Sequence, residues 1–370
     1  MPQASPPQPD PRTAVLPPKA RSPVPADRPL VTVVVPNYNG ARFLPLCLRA
    51  AREQTYDPIE IIVVDDHSTD ESVRIARSAG VNVIHTPANG GAAVARNAGA
   101  AAANGEILFF VDADVALAPD AVATAVAILE ADPGVGAACG IEDPEPLFRS
   151  GRVEDYRAIQ HHYWSVASEG EVSFLWSAMF AIRATVFAEI GPFNPRLRYT
   201  EEVDYGHRLG RRYRVLLTSA IGGRMGHDRE LTALLRKLFH RGRARVPLYA
   251  ARRRFARGYE TASRAWASLA ALLTVVTVPL VIPYGPAAAA VPAALLAVSL
   301  ACDAHMYRFV FARRCPLFGL FYAGVHFLVN LAIIGGVAAG AVQWLSSARF
   351  RALYEEPAPA AAVAGGGGAC

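Results

Sequence analysis

The 370-residue sequence has few cysteines, Cys47, Cys139, Cys302, Cys315 and Cys370, and none stands in a CxxC or Cys/His spacing. An odd, scattered set argues against a disulfide framework or a structural zinc site and suits a reducing compartment. An apolar core segment is missing from the first 29 residues, which hold ten prolines. No secretory signal is expected there, and residues 1–29 read as a disordered or polyproline-like tail. Charged residues are sparse, 19% against 52% hydrophobic, which excludes a disordered chain. Charge is missing altogether from residues 265–302 and 315–348. Acids are nearly missing from Arg236–Arg264, which holds ten Lys/Arg and one acid, Glu260. That stripe accounts for the net charge of +5, because the rest of the chain carries 27 basic and 31 acidic residues, a net of −4. Basicity gathered in one stripe, beside two uncharged runs, argues against a nucleic-acid partner.

What is present over Leu30 to about Leu217 is alternation. Val31–Val35, Ile59–Val64, Val81–Ile84 and Ile107–Val111 are short, nearly continuous apolar runs. Strands buried on both faces of a parallel sheet have this pattern. Helix-like stretches separate them at Ala41–Gln54, Glu71–Ala79 and Ala92–Ala103. The pattern predicts an open α/β sheet with ligands at the carboxyl ends of its strands.

The uncharged runs predict membrane helices over about 265–282, 287–302 and 317–345, two or three spans in all. Eighteen residues rise about 27 Å, close to a bilayer core of about 30 Å. Gly335, Gly336 and Gly340 permit close helix contact. The organisation expected is therefore a tail over 1–29, an α/β domain over 30–230, a basic interfacial segment over 231–264, membrane helices over 265–348 and a low-complexity tail over 349–370. Positive-inside logic places the stripe and the α/β domain in the cytoplasm, at an inner or plasma membrane. Arg349 and Arg351 would then lie outside in a three-span arrangement.

Three acidic clusters fall at element ends. Asp65-Asp66 closes the second strand and offers carboxylates to a base or ribose; Ser68 and Glu71 have capping-box spacing. Asp112-Ala113-Asp114 closes the fourth strand, where alternation puts both carboxylates on one face for a divalent cation and, through it, a diphosphate. Asn89-Gly90-Gly91 enters a helix carrying Arg96, placed to reach an anion. Glu201-Glu202-Val203-Asp204 begins another helix; acids suit its dipole, but three within four residues repel, and a crowded carboxylate moves toward the range of a general base.

In order, Val33–Gly40, Val63–Asp70, Asn89–Gly91 with Ala95–Asn97, Asp112–Asp114, and Glu201–Asp204 with Arg208 resemble the family 2 glycosyltransferases, nucleotide-sugar-dependent enzymes of the GT-A fold. The resemblance covers Leu30 to roughly His227. It implies a Rossmann-like α/β domain followed by a helical membrane region. It also implies that Pro36, Tyr38, Asp65, Asp66, Arg96 and Asp112 bind the donor, and that Asp112 and Asp114, with His227 as a third candidate, hold Mg²⁺ or Mn²⁺. Glu202 falls at the base position, where Asp204 or Glu201 could share the role, and Trp176 falls on the acceptor side. The chain departs from the family pattern in having Glu202 for the usual Asp, Asn194 for a common Asp, and Tyr205-Gly206 after the acids. A Gln-x-x-Arg-Trp motif is missing, which favours transfer of one sugar per encounter over processive synthesis. The function implied is a membrane-associated, metal-dependent inverting glycosyltransferase acting on a lipid-linked or envelope-glycan acceptor. The alternatives are a polyprenyl-phosphate sugar synthase and a non-catalytic, membrane-tethered nucleotide-sugar-binding module.

Overall fold

A computed structural model describes residues 28–252 and 261–354. The Pro-rich tail, Arg253, Arg254 and Arg257 of the stripe, and the tail from residue 355 lie outside the described residues.

The first half opens as the sequence predicts. Strands β1 (Val31–Asn37), β2 (Ile59–Asp65), β3 (Asn82–His85) and β4 (Ile107–Val111) alternate with α1 (Leu44–Arg52), α2 (Ser72–Ser78) and α3 (Ala92–Ala102). They pair in parallel in the order β3-β2-β1-β4, with Val33 level with both Ile61 and Phe109. Val31, Val33, Val34 and Val35 are fully buried, because helices cover both faces of the strand.

After β4 the alternation breaks down. The next elements are β5 (Val115–Leu117), α4 (Ala121–Ala131), β6 (Val135–Glu142), α5 (Arg152–Val166), β7 (Gly170–Val172), β8 (Met179–Arg183), α6 (Ala184–Ile190), α7 (Glu201–Leu209) and β9 (Arg214–Met225). The sheet continues β4-β8-β6-β9-β5, with β8 antiparallel to both β4 and β6, and β7 pairing with β9. The sheet is therefore mixed rather than parallel throughout. Asp112-Ala113-Asp114 links β4 directly to β5 with no crossover helix between them. The capping box is also replaced. Glu71 caps nothing and pairs instead with Arg74, whereas Asp70 accepts from the backbone N–H groups of Ser72 (3.0 Å) and Ala41 (2.9 Å).

The basic stripe forms most of α8 (Leu231–Arg252). Beyond it come α9 (Ala262–Thr277), α10 (Val281–Tyr284), α11 (Ala290–Cys302), α12 (Ala304–Arg313), α13 (Pro316–Ser346) and the short α14 (Ala348–Arg351), so the expected tail starts with ordered helix. Ala262–Tyr284 (23 residues) and Pro286–Cys302 form a hairpin: the Ser263 hydroxyl donates to Cys302 O (2.7 Å) and that of Ser299 to Ala267 O (2.9 Å). Ala262–Tyr284 and α13 are each apolar and long enough to cross a bilayer, and α12 leaves the second arm of the hairpin at a 69° bend.

The close helix contact expected of the α13 glycines is made with α8. A Cβ on Gly336 would lie 2.1 Å from Phe239 O, and one on Gly340 2.6 Å from Arg243 O, so only glycine allows the backbones this near. Gly336→Val is expected to force the two helices apart and destabilise the protein by about 1–3 kcal/mol. A fall in thermal midpoint in detergent would show it, and an unchanged midpoint would contradict the packing.

Candidate active site

The cleft lies where β1, β2 and β4 end. Among the described residues three non-glycines have left-handed backbone, Asn39 (φ 51°), His67 (φ 64°) and Thr200 (φ 67°). The first two follow β1 and β2, and the third directly precedes Glu201, so backbone strain gathers around the cleft.

On the donor side, Pro36 is partly buried at the end of β1 and Tyr38 is 55% exposed beyond it. Asp65 is buried, with Ser68 N–H and the His85 ring on Oδ2 (both 3.3 Å). Asp66 is committed to shaping the loop. Its carboxylate accepts from Gly90 N–H (2.9 Å), Gly91 N–H (2.7 Å) and the Thr86 hydroxyl (2.7 Å), which fixes the glycine turn before α3.

Arg96 differs most from expectation. Its side chain is buried, and its terminal nitrogens donate to Glu201 Oε1 (3.0 Å) and Asp112 Oδ1 (2.8 Å) rather than facing open space. It therefore joins the second and third acidic clusters. Burial works against its charge, but Asp112 and Glu201 more than offset this and hold the guanidinium protonated. Arg96→Met would leave two carboxylates facing each other without their cation, so a loss of about 3–5 kcal/mol is expected. Chemical denaturation would measure it, and a change below about 1 kcal/mol would contradict the bridge.

Asp112 remains partly open to the cleft. Asp114 has no ion pair among the described residues, and its carboxyl is pushed up to about 7, first by burial and then by Asp112. Two neighbouring carboxylates, one raised by burial beside the other, suit Mg²⁺ or Mn²⁺, which takes one or two protein carboxylates and completes its shell with water and phosphate. His227 is not gathered with them into a preformed set, since no three metal-ligating side chains converge among the described residues. Its ring lies edge-on to His161 (5.7 Å), and its Nε2 is buried with no hydrogen-bond partner among the described residues.

The three acids of α7 are sorted by their partners. Glu201 goes to Arg96, and Asp204 to Arg208 Nε (3.2 Å). Glu202 pairs with no cation among the described residues and lines the cavity together with Asp112, Trp176, Ser177, Arg241 and Arg245. It is Glu201 whose carboxyl is raised, by burial first and by Glu202 second. Gly206 accounts for one departure from the family pattern: a Cβ there would lie 2.3 Å from Leu175 N, so glycine lets α7 close on the loop before Trp176.

Trp176 is in a loop, not a strand, and is buried with one side covered by the His161 ring at 4.8 Å. His161 and Glu142 have no sequence signature. They stand 19 positions apart, on α5 and β6, yet lie 2.8 Å from each other, with His161 lining the cavity and Glu142 buried behind it. Burial drives Glu142 up and His161 down, so both groups are pushed toward their uncharged forms. The cavity measures about 90 Å³, well under the roughly 300–1,000 Å³ of typical small-molecule sites.

Comparison with known proteins agrees with this geometry. Residues 32–191 match the family described as Glycosyl transferase family 2, and the chain carries a domain of that family. Glycosyltransferase GlyG of Streptococcus pneumoniae is 44% identical over 90 residues, covering 23% of this chain and 30% of that protein. An uncharacterized glycosyltransferase of Haemophilus influenzae is 27% identical over 182 residues, 48% of this chain and 60% of that one. The chain thus matches less than two thirds of either relative. Among solved structures, the mannosyltransferase PcManGT of Pyrobaculum calidifontis, in complex with GDP-Man and Mn²⁺, aligns over 88% of this chain and 89% of its own at a TM-score of 0.53 and 21% identity. The fold is GT-A, followed by a helical region with two apolar candidate spans.

Proposed function

We propose that the protein is a membrane-associated, inverting glycosyltransferase that moves one sugar from a nucleotide-sugar donor to a hydroxyl of an anionic acceptor, lipid-linked or part of an envelope glycan. The observation that carries this reading is one cavity holding Asp112, an uncommitted Glu202, Arg241 and Arg245. The donor lies along the ends of β1, β2 and β4, between Tyr38 and Asp65, over the loop that Asp66 shapes. Asp112 and Asp114 would hold Mg²⁺ or Mn²⁺, which when bound would neutralise charge on the diphosphate leaving group. Glu202 takes the proton from the acceptor hydroxyl as its oxygen attacks the anomeric carbon from the face opposite the departing diphosphate. PcManGT, with GDP-Man and Mn²⁺ bound on this fold, supports the donor class.

The stripe has a more specific part in this reading than an attraction to lipid headgroups. Arg241 and Arg245 face the cavity, and Lys237 pairs with Asp228 (3.3 Å). Two guanidinium groups beside the base suit an acceptor with a phosphate next to its nucleophile. The same arginines keep a polyprenyl-phosphate acceptor as the second reading, although an anionic phosphate oxygen would need no base. Arg241→Gln with Arg245→Gln is expected to raise the acceptor KM by about 10–100-fold at two lost charge-assisted contacts, with the donor KM little changed. Steady-state kinetics on lipid-extracted acceptor would test it, and equal turnover of parent and double variant would sink the anionic acceptor.

A further inference from the structure

We infer that α13 does not cross the membrane: it lies along the membrane-facing side of the catalytic domain, and the α9–α11 hairpin is the inserted element. The inference rests on the membrane association proposed above. It starts from the two ends of α13, a helix of 31 residues and about 46 Å. Just before it, Arg314 Nη2 lies 3.2 Å from Glu145 Oε1. Just after it, the Tyr354 hydroxyl donates to Ala244 O of α8 (2.8 Å) and pairs with the Thr200 hydroxyl, while Asn194 Nδ2 donates to Leu353 O (3.4 Å). Glu145, Asn194 and Thr200 all belong to the catalytic domain, so both ends of α13 are held on the same body.

The middle of the helix is held there too. The Tyr322 ring lies 4.6 Å from that of Tyr156 on α5, and His326 meets Tyr156 (2.8 Å) and Gln160 (2.9 Å). Farther along, Gly336 and Gly340 rest on the α8 backbone. That helix carries Arg236, Lys237, Arg241, Arg243 and Arg245. If α13 crossed the bilayer, this cationic helix would be drawn to hydrocarbon depth beside it, where charge is costly. Among the described residues the hairpin has no cationic helix along its length; near its base α9 touches α13, where the Ser268 hydroxyl donates to Asn330 Oδ1 (2.9 Å). Its base sits on the catalytic domain, with Arg264 over the Trp164 ring at 4.4 Å, and its tip, including Ile282 (87% exposed) and Tyr284 (74%), is uncharged.

The other side of α13 is bare and apolar, with Leu317, Leu320, Val342 and Leu345 all well exposed. No charge interrupts residues 315–348, so the occupant that fits this face is the interfacial layer of a lipid bilayer. Arg349 and Arg351 then lie on the same side as Arg308, Arg313 and Arg314, and the positive-inside conflict of a three-span arrangement disappears.

Cysteine accessibility in the full-length protein in sealed vesicles tests this. With Cys302 and Cys370 replaced by serine and the buried Cys47 and Cys139 kept, the exposed native Cys315 reports the start of α13. Arg349→Cys and Glu130→Cys, each with Cys315→Ser, report its end and the catalytic domain. A membrane-impermeant maleimide is expected to modify all three sites from one and the same side. Modification of Cys315 and the Arg349→Cys site from opposite sides would overturn the inference while leaving membrane association intact. Recovery of the protein in the carbonate-soluble fraction would instead overturn the membrane reading, and this inference with it.

Discussion

Glu202→Gln is expected to lower kcat by about 10²–10⁴-fold, the usual contribution of a positioned general base. Glutamine keeps the size and most of the polarity of the side chain but cannot accept the proton. Donor KM should hold within a few-fold, because Glu202 lies on α7, across the cavity from the strand ends where the nucleotide would rest. The neighbouring acids should behave differently. Glu201→Gln takes one carboxylate from the buried Arg96, and Asp204→Asn takes one from Arg208, so their main cost should fall on stability. Kinetics and denaturation midpoints measured side by side on the three variants separate these roles. A Glu202→Gln enzyme with parental kcat would move the base elsewhere.

The second large effect is expected at Asp114. Asp114→Asn should reduce turnover by about 10²–10³-fold, the scale of losing one preorganised electrostatic contact to a developing charge. Its pH dependence adds a sharper test. The Asp114 carboxyl sits at about 7, raised first by burial and then by Asp112, so below that pH it carries a proton that a divalent cation must displace. Mn²⁺ affinity should therefore fall about tenfold per pH unit as pH drops below about 7, and level off above it. Mn²⁺ titrations with nucleoside diphosphate present, at pH 5.5, 6.5 and 7.5, would show that slope in the parent and a flatter one in Asp114→Asn. A parent affinity independent of pH would contradict Asp114 as a ligand.

The donor half of the fold was readable from local pattern. Val31–Val35, Ile62–Val64 and Ile107–Val111 are buried on both faces, and two-sided burial leaves continuous apolar runs in the sequence. The acceptor half was less readable, because β5 and β7 have three residues each and pair with distant β9 through tertiary contacts rather than local propensity. Site chemistry divides in the same way. Asp112 and Asp114 stand out because an apolar strand ends on them. The family resemblance put Glu202 at the base position, but that Glu201 and Asp204 are paired with cations depends on where Arg96 and Arg208 point, and no spacing encodes that. Arg96 was legible as a cation near the cleft, yet its two carboxylate partners lie 16 and 105 positions away. Glu142 and His161 gave no signal, since a buried polar pair is defined only once α5 packs beside β6. The long apolar helices were plain from missing charge, but composition says nothing of direction, and the packing of α13 along the α/β domain shows only in contacts at Glu145 and Thr200.

The central claim is that this chain turns over a nucleotide sugar at Asp112, Asp114 and Glu202. The most direct measurement incubates membranes containing the full-length protein with a panel of nucleotide sugars and Mn²⁺, follows release of nucleoside diphosphate, and weighs any lipid-extractable product by mass spectrometry. One donor is expected to give release that stops with a chelator, is lost in Asp114→Asn and Glu202→Gln, and accompanies a product heavier by one sugar. Binding of a nucleotide sugar without release from any donor, or release that survives both substitutions, would contradict it.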